Sequence, residues 1–403
     1  MNGVSAMTSR YFFSKPITYW GCIITLFILV IGCTKVPQTG QPGGPAPAVV
    51  DIWHSLQGAE ADALQGQVQT IMETHTEVII KLKYVPEQNF VSFSYQAEAG
   101  GEGPEIFIAS REIILQLYEH GALAKTKYID QEAFPATLSA FQFGGVGYAS
   151  PWLTDVPLLY FRTDTASVPI NLDDLFSNKG GISVAAPDMA SLSAWWNGQS
   201  GRLVNAGTPV LDDPFNIAFL KQLLIWRAAQ SLRIDSSVIN TFATGGTPFM
   251  IAGASQAKSL TQQNVPWGCM QLVDLLGGQG YPLLGMTLGI ANSAIKTNEA
   301  MMPMIQIVEQ ALLKPEVEGA MMQVGRLLPA NMGYYQRPEA QKGVFPQANI
   351  AFSKAWTLDG NALEWKLIPF QDRAWSNVFA GDFSPEDALA SAQGEAMKAL
   401  ATK

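Results

Sequence analysis

The side chains with catalytic or metal chemistry to offer are few. His54, His75 and His120 share no metal-ligand spacing, and no H-E-x-x-H occurs. There is no G-x-S-x-G turn to lift a serine nucleophile. Gly100-Gly101-Glu102-Gly103 lacks the Lys-Ser/Thr that completes a phosphate loop, so it reads as a turn. Spacing alone leaves open a pair of acids working on a glycan, but no local cluster suggests one. No catalytic residue, cofactor or metal is therefore expected. Of the three cysteines, Cys22 and Cys33 lie near the start, and Cys269 stands alone as a small apolar residue in an expected strand.

Composition narrows the classes further. The 403 residues carry 25 Lys+Arg against 34 Asp+Glu, a formal charge of −9. With no basic stripe to meet phosphates, a nucleic-acid partner is not expected. An apolar share of 48% with only 15% charged residues excludes a disordered chain and a charge-rich coiled coil. Three cysteines cannot make a disulfide scaffold. The length predicts about two domains.

The first segment looks like an export signal. Arg10 and Lys15 precede the apolar run 17–31, which is 15 residues long. That is short of the roughly 20 that span a bilayer and suits a signal-peptide core. It closes on Val30-Ile31-Gly32-Cys33, which resembles the lipobox of bacterial lipoproteins, with Cys33 as the lipidated residue. The expected limits are 1–32 for the signal and 33–48 for a tether; an uncleaved anchor helix is the other reading. Residues 34–48 hold four Pro and three Gly in 15 positions, too many for a helix or strand ladder. Either reading puts the remainder outside the cytoplasm.

Beyond the tether the elements alternate. Val49–Trp53 predicts a buried strand, and Ala61, Leu64, Val68 and Ile71 mark one face of a helix. Residues 78–85 alternate as a strand, 105–109 form a buried strand, and 111–120 form a helix closed by Gly121. Strands are expected at 182–186, 248–252 and 267–273, an apolar run with interspersed Gly spans 283–291, and helices are expected at 214–230 and 297–313. The last helix has Ser384 as N-cap, Pro385 at its first position and Asp387 three residues after the cap. This order predicts a mixed or parallel sheet with helices on both faces.

Four stretches together resemble a known family. They are Ile52-Trp53-His54-Ser55, residues 97–108 (AEAGGEGPEIFI), residues 151–164 (PWLTDVPLLYFRTD) and the helix from Ser384. In that order they resemble the family 1 extracellular solute-binding proteins, the maltose-binding type that serves carbohydrate ABC transporters. The resemblance implies an α/β, two-lobe periplasmic-binding-protein fold of type II kind, each lobe a mixed sheet flanked by helices, with ligand in the cleft. It implies lobes of 49–152 with 277–314 and 153–276 with 315–403. It also implies a monomer that takes an oligosaccharide or sugar-like solute and delivers it to permease subunits. A non-sugar solute such as a polyol or polyamine, and a lipid-anchored glycan-acting enzyme, remain as alternatives.

A sugar needs polar groups for its hydroxyl rim and flat rings for its C–H faces. By the resemblance Asp155 lies at the cleft mouth, although a loop Asp can also cap its own backbone. Ser55 and Gln57, and likewise Ser110 and Arg111, follow strands whose C-terminal ends face a ligand in such sheets. Ser110 stands where the maltose-binding member has an acid, which separates this pocket from that contact set. The ring candidates are Trp195, Trp196 and Trp375, with Trp152 either at the cleft or packed at the hinge and Trp226 read as core. Around Gly253, where relatives place a Trp, this chain offers Ala254 and Ser255.

Overall fold

The computed structural model describes residues 46–126, 132–177, 180–358 and 362–401. The signal segment, Cys33 and the tether as far as residue 45 lie outside the described residues. Among the described residues, no helix is long and apolar enough to cross a membrane.

The first lobe is built on β1 (Ala48–His54), β2 (Val78–Tyr84) and β3 (Ile106–Ser110). It is completed by β4 (Ala149–Thr154), which hands the chain on to β5 (Pro157–Arg162) of the second lobe. The second lobe adds β6 (Ile182–Val184), β7 (Leu232–Ile234), β8 (Phe249–Gly253) and β9 (Trp267–Met270). The chain then returns through β10 (Thr287–Asn292) and β11 (Leu328–Pro329). Strand order in the first sheet is β11-β4-β10-β3-β1-β2, and in the second β7-β6-β8-β5-β9. β1 runs parallel to β2 and β3, while β10 runs antiparallel to β3 and β4. In the second sheet β6 is parallel to β7 and β8, and β5 is antiparallel to β8 and β9. Both sheets are mixed, as the alternating pattern predicts.

Helices cover the faces. α1 (Ala59–Thr74) buries Leu64, Val68 and Ile71, three of the four stripe positions read from the sequence. α2 (Phe90–Ala99) and α3 (Arg111–Glu119) flank the first sheet, and α3 ends where Gly121 takes a φ of 71°. α4 (Met189–Gly198) and α5 (Pro214–Ala228) belong to the second lobe. α6 (Met302–Leu312) and α7 (Pro315–Val324) return to the first, where both pack with α1. α8 (Ala362–Ala380) and α9 (Pro385–Ala401) pack on each other and on α5. The Ser384 Oγ accepts the Asp387 amide at 3.1 Å, the cap expected from the motif.

Several boundaries move, each for a local reason. The helix expected from Thr297 begins at Met302, because Pro303 fits only a first turn, where no donor is needed. The apolar run from Leu283 becomes a strand only at Thr287: the Leu283 amide donates to Ser193 Oγ and the Gly285 amide to Asp155 O, so neither joins the ladder. The first crossing falls after Thr154 rather than Trp152, since β4 pairs with β10 as far as that residue. Residues 315–329, expected in the second lobe, instead supply α7 against α1 and β11 beside β4.

Candidate ligand-binding cleft

The chain passes between the lobes at Asp155, and this residue ties three segments together. Its Oδ1 accepts the Val156 amide at 2.9 Å and the Ser255 amide at 3.1 Å. Its Oδ2 accepts the Ser255 hydroxyl at 2.6 Å, and its carbonyl accepts the Gly285 amide at 2.8 Å. A methyl group on Gly253 would come within 2.0 Å of Oδ2, so the strand end can approach only as glycine. Desolvation pushes the carboxyl up to about 6, against the opposing pull of these donors. Asp155 therefore caps its own backbone and anchors Ser255, the second of the two roles weighed from sequence.

Three cavities gather around this crossing. One of about 330 Å³ has Asp155, Asp188, Ser191, Ser236 and Gln256 on its wall, at the C-terminal ends of β6 and β8. Asp188 caps α4 by accepting the Ser191 amide at 2.8 Å, and burial raises its carboxyl. Behind it, Asp372 accepts the Met189 amide at 2.7 Å. Desolvation lifts Asp372 to about 7, and the nearby Asp188 charge adds to the rise. A second cavity of about 560 Å³ opens at the C-terminal end of β1, with Ser55, Gln57, Glu60, Glu87 and Met286 from the first lobe. Ser255 reaches it from the second lobe, and Arg326 closes one side. Gln57 is held in place by donating to the Tyr84 hydroxyl at 2.7 Å. The third, about 400 Å³, shares Ser255, Gly325 and Arg326 with the second and runs on to Trp267 and Phe345.

Ser55 and Gln57 thus line one cavity with Ser255, while Asp155 lines the neighbouring one and reaches the first only through its bond to Ser255. Ser110 and Arg111 line neither. The Ser110 hydroxyl is buried without a partner among the described residues. The Arg111 guanidinium lies 3.2 Å from the centre of the Trp365 ring and pairs with Glu112. Burial brings its pKa down to about 10.

The candidates Trp195, Trp196 and Trp375 are core residues rather than ligand-facing rings, and Trp152 takes the packed one of its two readings. Trp152, Trp195, Trp196 and Trp375 are each 0% exposed. Trp152 donates its indole N–H to Leu312 O at 2.9 Å inside the first lobe. Trp195 packs edge-on against Phe176 and Trp226, and Trp196 donates to Asn216 Oδ1 at 2.8 Å. Trp375 lies against Trp196 and Phe219. Adjacent rings on α4 can both be inward because that helix is covered by α8 as well as by the 3-10 turn Leu272–Leu276. The residues missed from sequence are Ser255, Arg326, Asp188 and Trp267. Ser255 and Asp188 follow β8 and β6 closely, so the strand-end rule that selected Ser55 could have found them. Among the described residues, no group of three His, Cys, Asp or Glu could hold a metal ion.

Comparison with known proteins gives the family and the fold. The profile of the family described as bacterial extracellular solute-binding protein matches residues 68–346. The fold is similar to that of the GacH receptor of Streptomyces glaucescens GLA.O, solved unliganded and with acarbose. That match has 17% identity and a TM-score of 0.71, covering 88% of this chain and 98% of that one. It is also similar to a cyclo/maltodextrin-binding protein complexed with maltotetraose, at 15% identity and a TM-score of 0.75, covering 89% and 98%. The maltose/maltodextrin-binding domain MalE from Bdellovibrio bacteriovorus, bound to maltotriose, matches at 15% identity and a TM-score of 0.69, covering 88% and 100%. A search of curated proteins returned no match.

Proposed function

The chain belongs to the bacterial extracellular solute-binding proteins, and we propose that it is the lipid-tethered receptor of an ABC importer for an oligosaccharide or sugar-like solute. As a member of that family it binds a solute rather than transforming one. The ligand sits at the crossing, with its hydroxyls on Ser55, Gln57 and Ser255. Closure of the lobes about Asp155 then makes the form that a permease recognises.

The observation that carries this reading is the cavity beside Gln57, because it takes polar groups from both lobes. A solute there gains contacts with the second lobe only when the lobes are together, so binding favours closure. The maltotriose and maltotetraose complexes of similar folds support a saccharide as occupant. Among the described residues, the wall beside Gln57 is aliphatic, with Leu56, Met286, Leu288 and Leu327 and no aromatic ring. The tether is carried by Cys33 and the basic residues before the apolar run.

Titration calorimetry against malto-oligosaccharides, other neutral oligosaccharides, polyols and polyamines tests the solute class. A saccharide is expected to bind without cleavage. Gln57→Ala and Ser255→Ala should each weaken it about tenfold, roughly 1.4 kcal/mol. Binding confined to a polyamine, or turnover of a glycan, would refute the reading. For the tether, Cys33→Ala should release the protein from the membrane or leave an unprocessed precursor; unchanged lipidation of that variant would remove Cys33 from the role.

A further inference from the structure

The three cavities at the crossing differ in charge. The one at the hinge carries Asp155 and Asp188, and the one beside Gln57 carries Glu60 and Glu87. The third is lined by Lys258 and Arg326 and by no carboxylate. In a chain with a formal charge of −9 that is a local reversal.

Lys258 has a structural task. Its Nζ donates to the carbonyls of Gln323 at 2.5 Å and Gly325 at 3.4 Å, where α7 ends and its dipole is negative. Arg326 has none. It is exposed and, among the described residues, takes part in no ion pair or hydrogen bond, yet it borders both the third cavity and the one beside Gln57. Opposite stands Trp267, whose ring is fixed by a bond from its N–H to Thr261 Oγ1 at 3.3 Å and by edge-on packing against Tyr160 at 5.7 Å. Phe345 and Gln262 complete this end.

We propose that the third cavity binds an anionic sugar residue, a uronate or a sulfated ring, belonging to the same oligosaccharide whose neutral part lies beside Gln57. This inference rests on the oligosaccharide reading above and narrows it to acidic glycans. A guanidinium presents two parallel N–H donors that match a carboxylate or sulfate. The Trp267 face offers the flat apolar surface that a pyranose C–H face packs on. Glu60 and Glu87 repel an anion from the adjoining cavity, so the charges also fix which way round the chain lies.

The test is a glycan array of matched pairs probed with the full chain in detergent. Each acidic oligosaccharide is printed beside its carboxyl-reduced or desulfated counterpart. At least one acidic member should bind tenfold or more tighter than its neutral partner, and that advantage should shrink as NaCl is raised. Arg326→Gln should bring the acidic member down to its neutral partner, with no change in melting temperature. Separate uronate and sulfate pairs tell which anion the site takes. Equal binding of both members, or a preference that survives Arg326→Gln, would overturn the acidic specificity and leave the oligosaccharide reading intact. Binding to no glycan would end both.

Discussion

At the scale of single residues, the informative groups are buried acids that have no cationic partner among the described residues. Glu309 accepts from Ser150 Oγ at 2.9 Å and from Asn292 at 3.4 Å, and desolvation lifts it to about 7. Asp372 likewise stands at about 7 and Asp155 at about 6. Each folded-state value lies above the ordinary one. The folded chain therefore holds protons that the unfolded chain has already released, and these groups contribute stability at low pH that is lost as pH rises through 6 to 7. The melting temperature should fall by about 5 °C between pH 5 and pH 8. Glu309→Gln should flatten that slope, and a scan of melting temperature against pH checks both. Asp155→Asn replaces an acceptor with a donor facing N–H and O–H groups already engaged. It should cost about 1–3 kcal/mol of stability in denaturant unfolding, which a purely ligand-contacting Asp would not. At this scale the sequence was only half legible. Asp155 could be found by its flanking pattern, but whether its carboxylate faced ligand or backbone depended on Ser255, 100 residues away.

At the scale of elements, long amphipathic stretches and caps were legible, and boundaries set by distant partners were not. α1 and α9 follow from periodicity and from Ser384-Pro385. α8 escaped detection because Pro369 interrupts it, a residue that reads locally as a stop. The tryptophans misled for a related reason. Their number suggested stacking surfaces, but α4 lies against both the turn Leu272–Leu276 and α8, and nothing local records either cover. Trp196→Ala should thus cost about 3–5 kcal/mol in unfolding free energy, while Trp196→Phe, which retains most of the packing, should leave solute affinity unchanged. The end of β8 is the tightest joint. Gly253→Ala would drive a methyl into the Asp155 carboxylate, and a loss of about 1–3 kcal/mol is expected on overpacking grounds. An unaltered unfolding curve for Gly253→Ala would show that the joint can give.

For the whole molecule, the lobes are held together both far from the solute cavities and on the wall of one of them. Lys366 of α8 pairs with Glu119 of α3 at 2.6 Å, beside the Arg111–Trp365 stack, and Lys258 ties the second lobe to the end of α7. The Lys366–Glu119 pair is partly exposed, so its worth is at most about 1 kcal/mol. Lys366→Glu should shift an open–closed equilibrium by no more than about tenfold. Energy transfer between dyes on the two lobes would report that shift, and no change would place the pair outside the closure. The two-lobe plan itself was legible through the four family-like stretches, and the mixed sheets through strand–helix order, but the late return of 315–329 to the first lobe was not, because β11 is only two residues long.

The buried indoles have a practical corollary for anyone who shines ultraviolet light on this protein. Rings as sealed as Trp152, Trp195, Trp196 and Trp375 emit at short wavelength and do not respond to quenchers dissolved in the buffer. They supply a constant blue glow. Against it, Trp267, half-buried on the rim of a cavity, can register an arriving guest as a colour shift, so a single silent background already comes with its own reporter dye.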